Sequence, residues 1–355
     1  MKASALPCRS LLAVGLAVLA LAQPQCLRGQ QPKQPALPTG RWLIDFDRGD
    51  SLELTLKRRS PDGGRNNWST SNEYRVKDFQ GLQRPATPAE APAHFELVRD
   101  AGTITFDGQL GAAGGAGRYA FSPNPEYLAA IEKMGYAAPD ADDVFSLAVH
   151  DVSRAFIREL DGLGYKHPPL DDMIAMRIHG AGPEFIRELR TLGYDHLSSD
   201  DLVAMRIHGA TPAFIREMRA LGYDHLSSED LVAMRIHGAT PDFIHAMKTA
   251  GYDHLSAEDL VAMRIHGATP EFVNELKGLG YKRLSAEDLV SMRIHGVTPD
   301  FIRDLQGLGY RSVSPDDLVN LRIHGVSVDD AKRMKTRYKD ITVEELVDAK
   351  IHARG

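Results

Sequence analysis

The 355-residue chain has two cysteines, Cys8 and Cys26, and its aromatic content is 7%. With both thiols in the first 26 residues, no disulfide framework can hold the rest of the chain, so its stability must come from packing. The longest apolar run, Leu11 to Ala22, falls short of the roughly 20 residues a helix needs to cross a bilayer. No His-Glu-x-x-His pair, paired-cysteine motif, nucleophile elbow, phosphate-binding loop or dinucleotide fingerprint is present. Ser, His and Asp are plentiful but fall at helix-cap positions, so neither an enzymatic activity nor a cofactor is expected. A basic balance is also missing. Up to Pro125 there are 15 Lys and Arg against 11 Asp and Glu, and beyond it 27 against 37. Nucleic-acid binding draws on a basic surface, so nucleic acid is not an expected partner.

Lys2 and Arg9 precede the apolar run, and Ala20-Leu21-Ala22 supplies small residues for cleavage, which reads as an export signal over residues 1–22. The mature chain is then expected to be periplasmic or secreted, with membrane attachment only through an uncleaved N-terminal segment. Cys8 leaves with the signal and Cys26 stays unpaired. Residues 23–40 are rich in Gln and Pro and read as a linker.

Residues 41–122 carry short, often alternating runs: Trp42–Phe46, Leu52–Leu56, Phe95–Val98, Thr103–Phe106 and Tyr119–Phe121. Period-two alternation argues half-buried strands. Asp47 to Asp50 and Asp100-Ala101-Gly102 have hairpin-turn chemistry, Pro85 to Pro92 reads as a loop, and Gly111 to Gly117 reads as a mobile hairpin tip. The expectation is a small antiparallel β-domain of five to seven strands. For this domain to bind a ligand or carbohydrate, Trp42 or Trp68 would have to stand in a groove.

From residue 123 to 355 the sequence repeats. Gly-Tyr recurs every 29 positions from Gly135-Tyr136 to Gly309-Tyr310, and Arg-Ile-His-Gly keeps the same step from Arg177 to Arg322. A period of that length marks a stacked array. Within one unit, Ser227 suits an N-cap, Asp230 completes a capping box, and Leu226 and Leu231 occupy the hydrophobic-staple positions. Leu231, Val232, Met234 and Ile236 follow as an apolar stripe and Gly238 as a stop, defining helix A. Thr240 and Pro241 open helix B, Phe243, Ile244 and Met247 form its apolar face, and Gly251-Tyr252 ends it as a Schellman motif. The fold class is therefore α+β multidomain, mainly α: an αα-solenoid of about eight 29-residue helix pairs, with the β-domain covering its N-terminal end.

Four ladders run along the array. Eight histidines, from His150 at 29-residue steps to His324 and then His352, stand at helix-A ends. Packed helices lie about 8–10 Å apart, too far for successive imidazoles to share a zinc ion at about 2 Å, so no metal is expected. The plainer role is imidazole bonding of the last helix carbonyls, with pH sensing left open. The arginines before Ile-His-Gly are expected to interleave with Asp201, Asp230, Asp259, Asp288 and Asp317 as an ion-pair ladder. The tyrosines read as core edge and helix stop.

Units differ at two helix-B positions. One reads Arg187, Arg216, His245, Asn274 and Arg303; three residues later come Arg190, Arg219, Lys248, Lys277 and Gln306. Both lie on one helical face outside the apolar stripe and are the candidate face for an unknown protein or peptide partner, or else a plain solvated face.

The string from Leu231 through Met234, Arg235, Ile236, His237 and Gly238 to Thr240, Pro241, Phe243 and Ile244 resembles tandem repeats of exported bacterial proteins. It is similar to repeats appended to β-lactam-sensor-type antirepressor metallopeptidases. The resemblance covers about two thirds of the chain and implies an envelope-facing interaction module. The peptidase motif and membrane helices of those sensors are absent from the sequence, so protease activity does not follow. The expected function is an exported, non-enzymatic interaction scaffold. The alternatives are a spacer that presents the β-domain, or ligand binding by that domain.

Overall fold

The computed structural model describes residues 37–47, 49–58 and 68–352. The export signal, most of the linker and both cysteines lie outside the described residues. Six strands form one antiparallel sheet: β1 (Thr39–Phe46), β2 (Ser51–Arg58), β3 (Trp68–Arg75), β4 (Ala91–Arg99), β5 (Gly102–Leu110) and β6 (Gly114–Pro123). Their order is β3-β2-β1-β6-β5-β4, and Gln80, just past β3, bridges to Glu96 of β4 at the opposite edge. The sheet therefore curls over an apolar filling in which Trp42, Ile44, Leu54, Phe95, Ile104 and Phe106 are buried.

Three details differ from expectation. β1 starts at Thr39, inside the span read as linker. β3 was not expected, because its sequence Trp-Ser-Thr-Ser-Asn-Glu-Tyr-Arg contributes only Tyr74 as a buried residue. Gly111 to Gly117 is not a free tip, since Gly115 to Gly117 pair with both β1 and β5 and Gly114 with β1. Glycine is required there by close approach: a Cβ at Gly117 would fall 2.6 Å from the Trp42 indole nitrogen. That indole donates to the Asp107 carbonyl at 3.2 Å and meets Phe95 and Phe106 edge-on.

The remainder is helical. The B helices are α1 (Pro125–Lys133), α3 (Arg154–Gly162), α5 (Pro183–Thr191), α7 (Pro212–Ala220), α9 (Pro241–Thr249), α11 (Pro270–Gly278), α13 (Pro299–Gly307) and α15 (Val328–Arg337). The A helices are α2 (Ala141–Val149), α4 (Leu170–His179), α6 (Ser199–His208), α8 (Ser228–His237), α10 (Ala257–His266), α12 (Ala286–Ile294), α14 (Pro315–Ile323) and α16 (Val343–His352). The A row stacks more closely than the B row.

Caps set these boundaries. Ser227 accepts from the Asp230 amide at 3.0 Å while the Asp230 carboxylate takes the Ser227 amide, and Thr240 accepts from the Phe243 amide at 3.4 Å. The Tyr252 amide reaches the Met247 carbonyl at 3.0 Å across Gly251, which closes the Schellman motif. Leu231, Met234, Ala239 and Met247 are wholly buried between neighbouring units. An isolated pair could not hide these side chains, so each unit depends on the next.

The sheet and helices pack as one unit from Leu37 onward. The Phe145 ring of α2 stacks on Tyr119 of β6 at 5.4 Å and meets Trp68 and Phe121 edge-on. Asp100, in the β4–β5 turn, takes both the amide and the guanidinium of Arg154, and Arg58 pairs with Asp142. The β-domain covers the first A helix, as the lack of a linker between strands and helices suggests.

Candidate functional site

The repeated polar residues bind one unit to the next. Arg235 donates from Nε to the His208 carbonyl at 3.3 Å and holds its guanidinium 5.1 Å above the Phe214 ring of the preceding unit. Arg177, Arg206, Arg264 and Arg293 repeat the carbonyl bond at 3.0–3.4 Å, and six arginines from Arg177 to Arg322 repeat the ring contact at 5.0–5.2 Å. A cation thus meets the negative end of the preceding A helix and the electron-rich face of a phenyl ring. The expected ion-pair ladder does not form. The acids Asp201, Asp230, Asp259 and Asp288 are turned to their own capping boxes, and Asp317 to Ser314. Arg177, paired to Asp151 at 2.6 Å, is the exception.

The histidine reading needs the same correction. His179, His208, His237 and His266 have exposed rings and lend their backbone carbonyls to the following arginine. His352 alone bonds a carbonyl of its own helix, that of Asp348 at 2.8 Å. His150 is half-buried, and burial, with Arg177 beside it, lowers its pKa below the ordinary value. Among the described residues no group of three or more His, Cys, Asp or Glu is placed to hold a metal.

Tyrosines tie each unit forward. The hydroxyls of Tyr165, Tyr194, Tyr223, Tyr252 and Tyr281 donate at 2.7–2.8 Å to carbonyls 32 residues ahead, those of Leu197, Leu226, Leu255, Leu284 and Val313. Burial raises the pKa of each, so these phenols stay protonated donors.

The ten helix-B residues divide. Arg190, Arg219 and Lys277 donate to the carbonyls of Leu163, Leu192 and Ala250, and Gln306 to Leu279 at 2.9 Å, which closes the end of the preceding B helix. These four are clamps between units. Arg187 pairs with Glu159 at 2.8 Å and Arg303 with Glu275 at 3.2 Å, again one unit back. Arg216, His245, Lys248 and Asn274 stand exposed.

The A row carries a feature that the apolar periodicity concealed. Ile236, read as part of the buried stripe, is 52% exposed, and Ile178, Ile207, Ile265, Ile294 and Ile323 lie within the same 52–54% range. Leu231 and Met234 take the inward positions, which leaves Val232 half-buried and Ile236 outside. Glu229 lies seven residues before Ile236, about 10 Å along the same helix face, with Ala233 between them. Asp200, Glu258, Glu287 and Asp316 repeat that exposed acid. The A face is therefore two parallel rails, one acidic and one of isoleucine, with a step set by helix packing of about 8–10 Å.

The β-domain has a cavity of its own. Trp42 is buried in the core, whereas Trp68 lines a cavity of about 860 Å³ together with Arg41, Lys57, Arg118, Tyr119 and Gly40. Burial pushes the Tyr119 phenol up to about 12, with Arg58 opposing it.

No protein-family model matches this chain, and no curated protein does.

The isoleucine rail and the cavity cations are the residues sequence reasoning missed. For the cations a signal existed: Arg41 and Arg118 both fall on the outward parity of their strands, but only the strand register sets them side by side.

Proposed function

We propose that this chain is an exported, non-enzymatic scaffold that holds an extended segment of a partner protein along the A face of its helical array. The observation that carries the reading is the isoleucine rail: six large apolar side chains, each more than half exposed, at a constant 29-residue interval. Large apolar side chains exposed in one row at successive helix spacings go beyond the scattered single residues of an ordinary surface, and such apolar surface marks interaction sites. The acid rail beside it favours a segment with apolar side chains along one edge and cations along the other. An extended segment in the polyproline-II conformation rises about 3.1 Å per residue with three residues per turn, so every third side chain returns to one edge about 9 Å on, in step with the helices. The non-enzymatic part rests on the tasks of the repeated Arg, Tyr, Ser and Asp residues, which cap helices or join units. Export rests on Lys2, Arg9 and the run from Leu11 to Ala22.

The test is affinity capture from an envelope extract with two sets of exposed substitutions, each checked for native circular dichroism. The A set is Ile207→Ser, Ile236→Ser and Ile265→Ser; the B set is Arg216→Glu, His245→Glu and Asn274→Glu. A partner kept by the B set and lost by the A set supports the reading. A partner lost only by the B set returns the docking face to the B helices. If the wild-type chain captures nothing that either set loses, the array is a spacer that presents the β-domain.

A further inference from the structure

The strand register lines up one outward residue from each of the six strands: Ser69, Lys57, Arg41, Arg118, Asp107 and His94. The three cations are therefore direct cross-strand neighbours. Opposed side chains on adjacent strands sit about 4.5–5.5 Å apart, and like charges so placed destabilise a sheet. Compensation is thin. Asp107, the acid in the row, is taken by His94 at 2.7 Å, and Arg58 at the cavity edge is paired to Asp142. Among the described residues Lys57, Arg41 and Arg118 form no ion pair.

All three line the cavity of about 860 Å³, a size within the usual range of small-ligand sites. Two aromatic residues line it as well. Trp68 is half-buried, held edge-on at 5.6 Å by Phe145. Tyr119 is only 2% exposed, yet its hydroxyl has no hydrogen-bond partner among the described residues. Buried hydroxyls are nearly always bonded, so this phenol marks a place where a partner is missing. Gly40 lets strand and ring approach closely here, because a Cβ would collide with the Lys57 carbonyl oxygen and fall 2.7 Å from the Tyr119 ring.

A sheet that tolerates three adjacent cations with no ion pair, and with only the His94-bonded Asp107 at the end of their row in the same cavity, beside an unsatisfied phenol, is arranged for something that supplies negative charge and acceptors. We propose that this cavity binds an anionic saccharide, a sugar ring bearing phosphate or carboxylate. The cations take the charge, Trp68 offers a flat apolar surface to the ring, and Ser69 and Tyr119 offer hydroxyls.

Intrinsic tryptophan fluorescence and calorimetry on the full chain test this with four probes: glucose 6-phosphate, glucuronate, glucose and inorganic phosphate. At least one of the two anionic sugars is expected to bind more tightly than both glucose and inorganic phosphate, with affinity falling as salt rises. Arg41→Gln and Arg118→Gln are each expected to weaken that binding about tenfold while raising the melting temperature, since each removes a like-charge contact. Trp68→Phe should abolish the fluorescence change, leaving the buried Trp42 silent. Equal affinity for inorganic phosphate, no saturable binding of any probe, or unchanged binding by both arginine variants would each overturn the proposal. A lowered melting temperature in the arginine variants would show that the cations serve the fold, and would overturn it too.

Discussion

Arg264 lies 5.0 Å above the Phe243 ring of the preceding unit and donates to the His237 carbonyl. The sequence reading pairs this arginine with an acid of its own or the next unit, Asp259 or Asp288, yet those carboxylates are spent on Ser256 and Ser285. The energetic coupling therefore runs between units rather than within one. A double-mutant cycle on Arg264 and Phe243 is expected to give about 0.5–2 kcal/mol. The cycle on Arg264 and Asp259 is expected to give a value near zero. Denaturant unfolding of the three single and two double variants measures both.

The forward tie is a single hydrogen bond. Tyr223→Phe deletes the donor to the Leu255 carbonyl at 2.8 Å and leaves the ring in place. A loss of about 1–2 kcal/mol is expected from a half-buried carbonyl left without its partner. Urea unfolding checks this, and the 29-residue repeat requires a similar value for Tyr194→Phe.

Gly238 answers two demands. It ends α8 at φ +72°, and a Cβ there would lie 3.0 Å from the Arg264 guanidinium. Gly238→Ala is therefore expected to cost more than the roughly 1 kcal/mol of a left-handed backbone alone, with the excess removed when Arg264 is also shortened to Ala. Thermal unfolding of the single and double variants reads the difference.

How much of this was legible follows from distance along the chain. Ser227 and Asp230, or Thr240 and Pro241, act within four residues, and the repeat length, caps and stops could be read directly. The partners of Arg235, Arg219 and Tyr223 lie 27, 27 and 32 residues away. The period gives the spacing of such residues but not what they touch. Ile236 was misread for a related reason: Leu231 and Met234 already fill the inward arc, and a helical wheel does not say how wide that arc is. β3 escaped because an edge strand with one buried side chain has no apolar alternation. The cation row escaped because it exists only once β1, β2 and β6 are paired.

Acid should loosen the junction and the C-terminal unit. Hydrogen bonds from Arg154 hold Asp100 below its ordinary 3.8, those from Arg58 do the same for Asp142, and Lys350 with the Ser327 amide holds Asp330 lower still. A depressed folded-state pKa contributes stability that is present above the unfolded value and lost as pH falls through the folded one. These carboxylates add no pH dependence above about pH 5, and the melting temperature is expected to fall progressively below about pH 4 as they protonate. Asp100→Asn should flatten part of that fall, which a pH series by differential scanning calorimetry measures.

The claim that the A helices carry the docking face is tested most directly by a photo-crosslinking amino acid placed in turn at Ile207, Ile236 and Ile265, and at Arg216, His245 and Asn274, in the full chain expressed in cells. The account predicts a common adduct from the three isoleucine positions and none from the helix-B positions. Adducts from the helix-B positions alone, or from neither set, would contradict it.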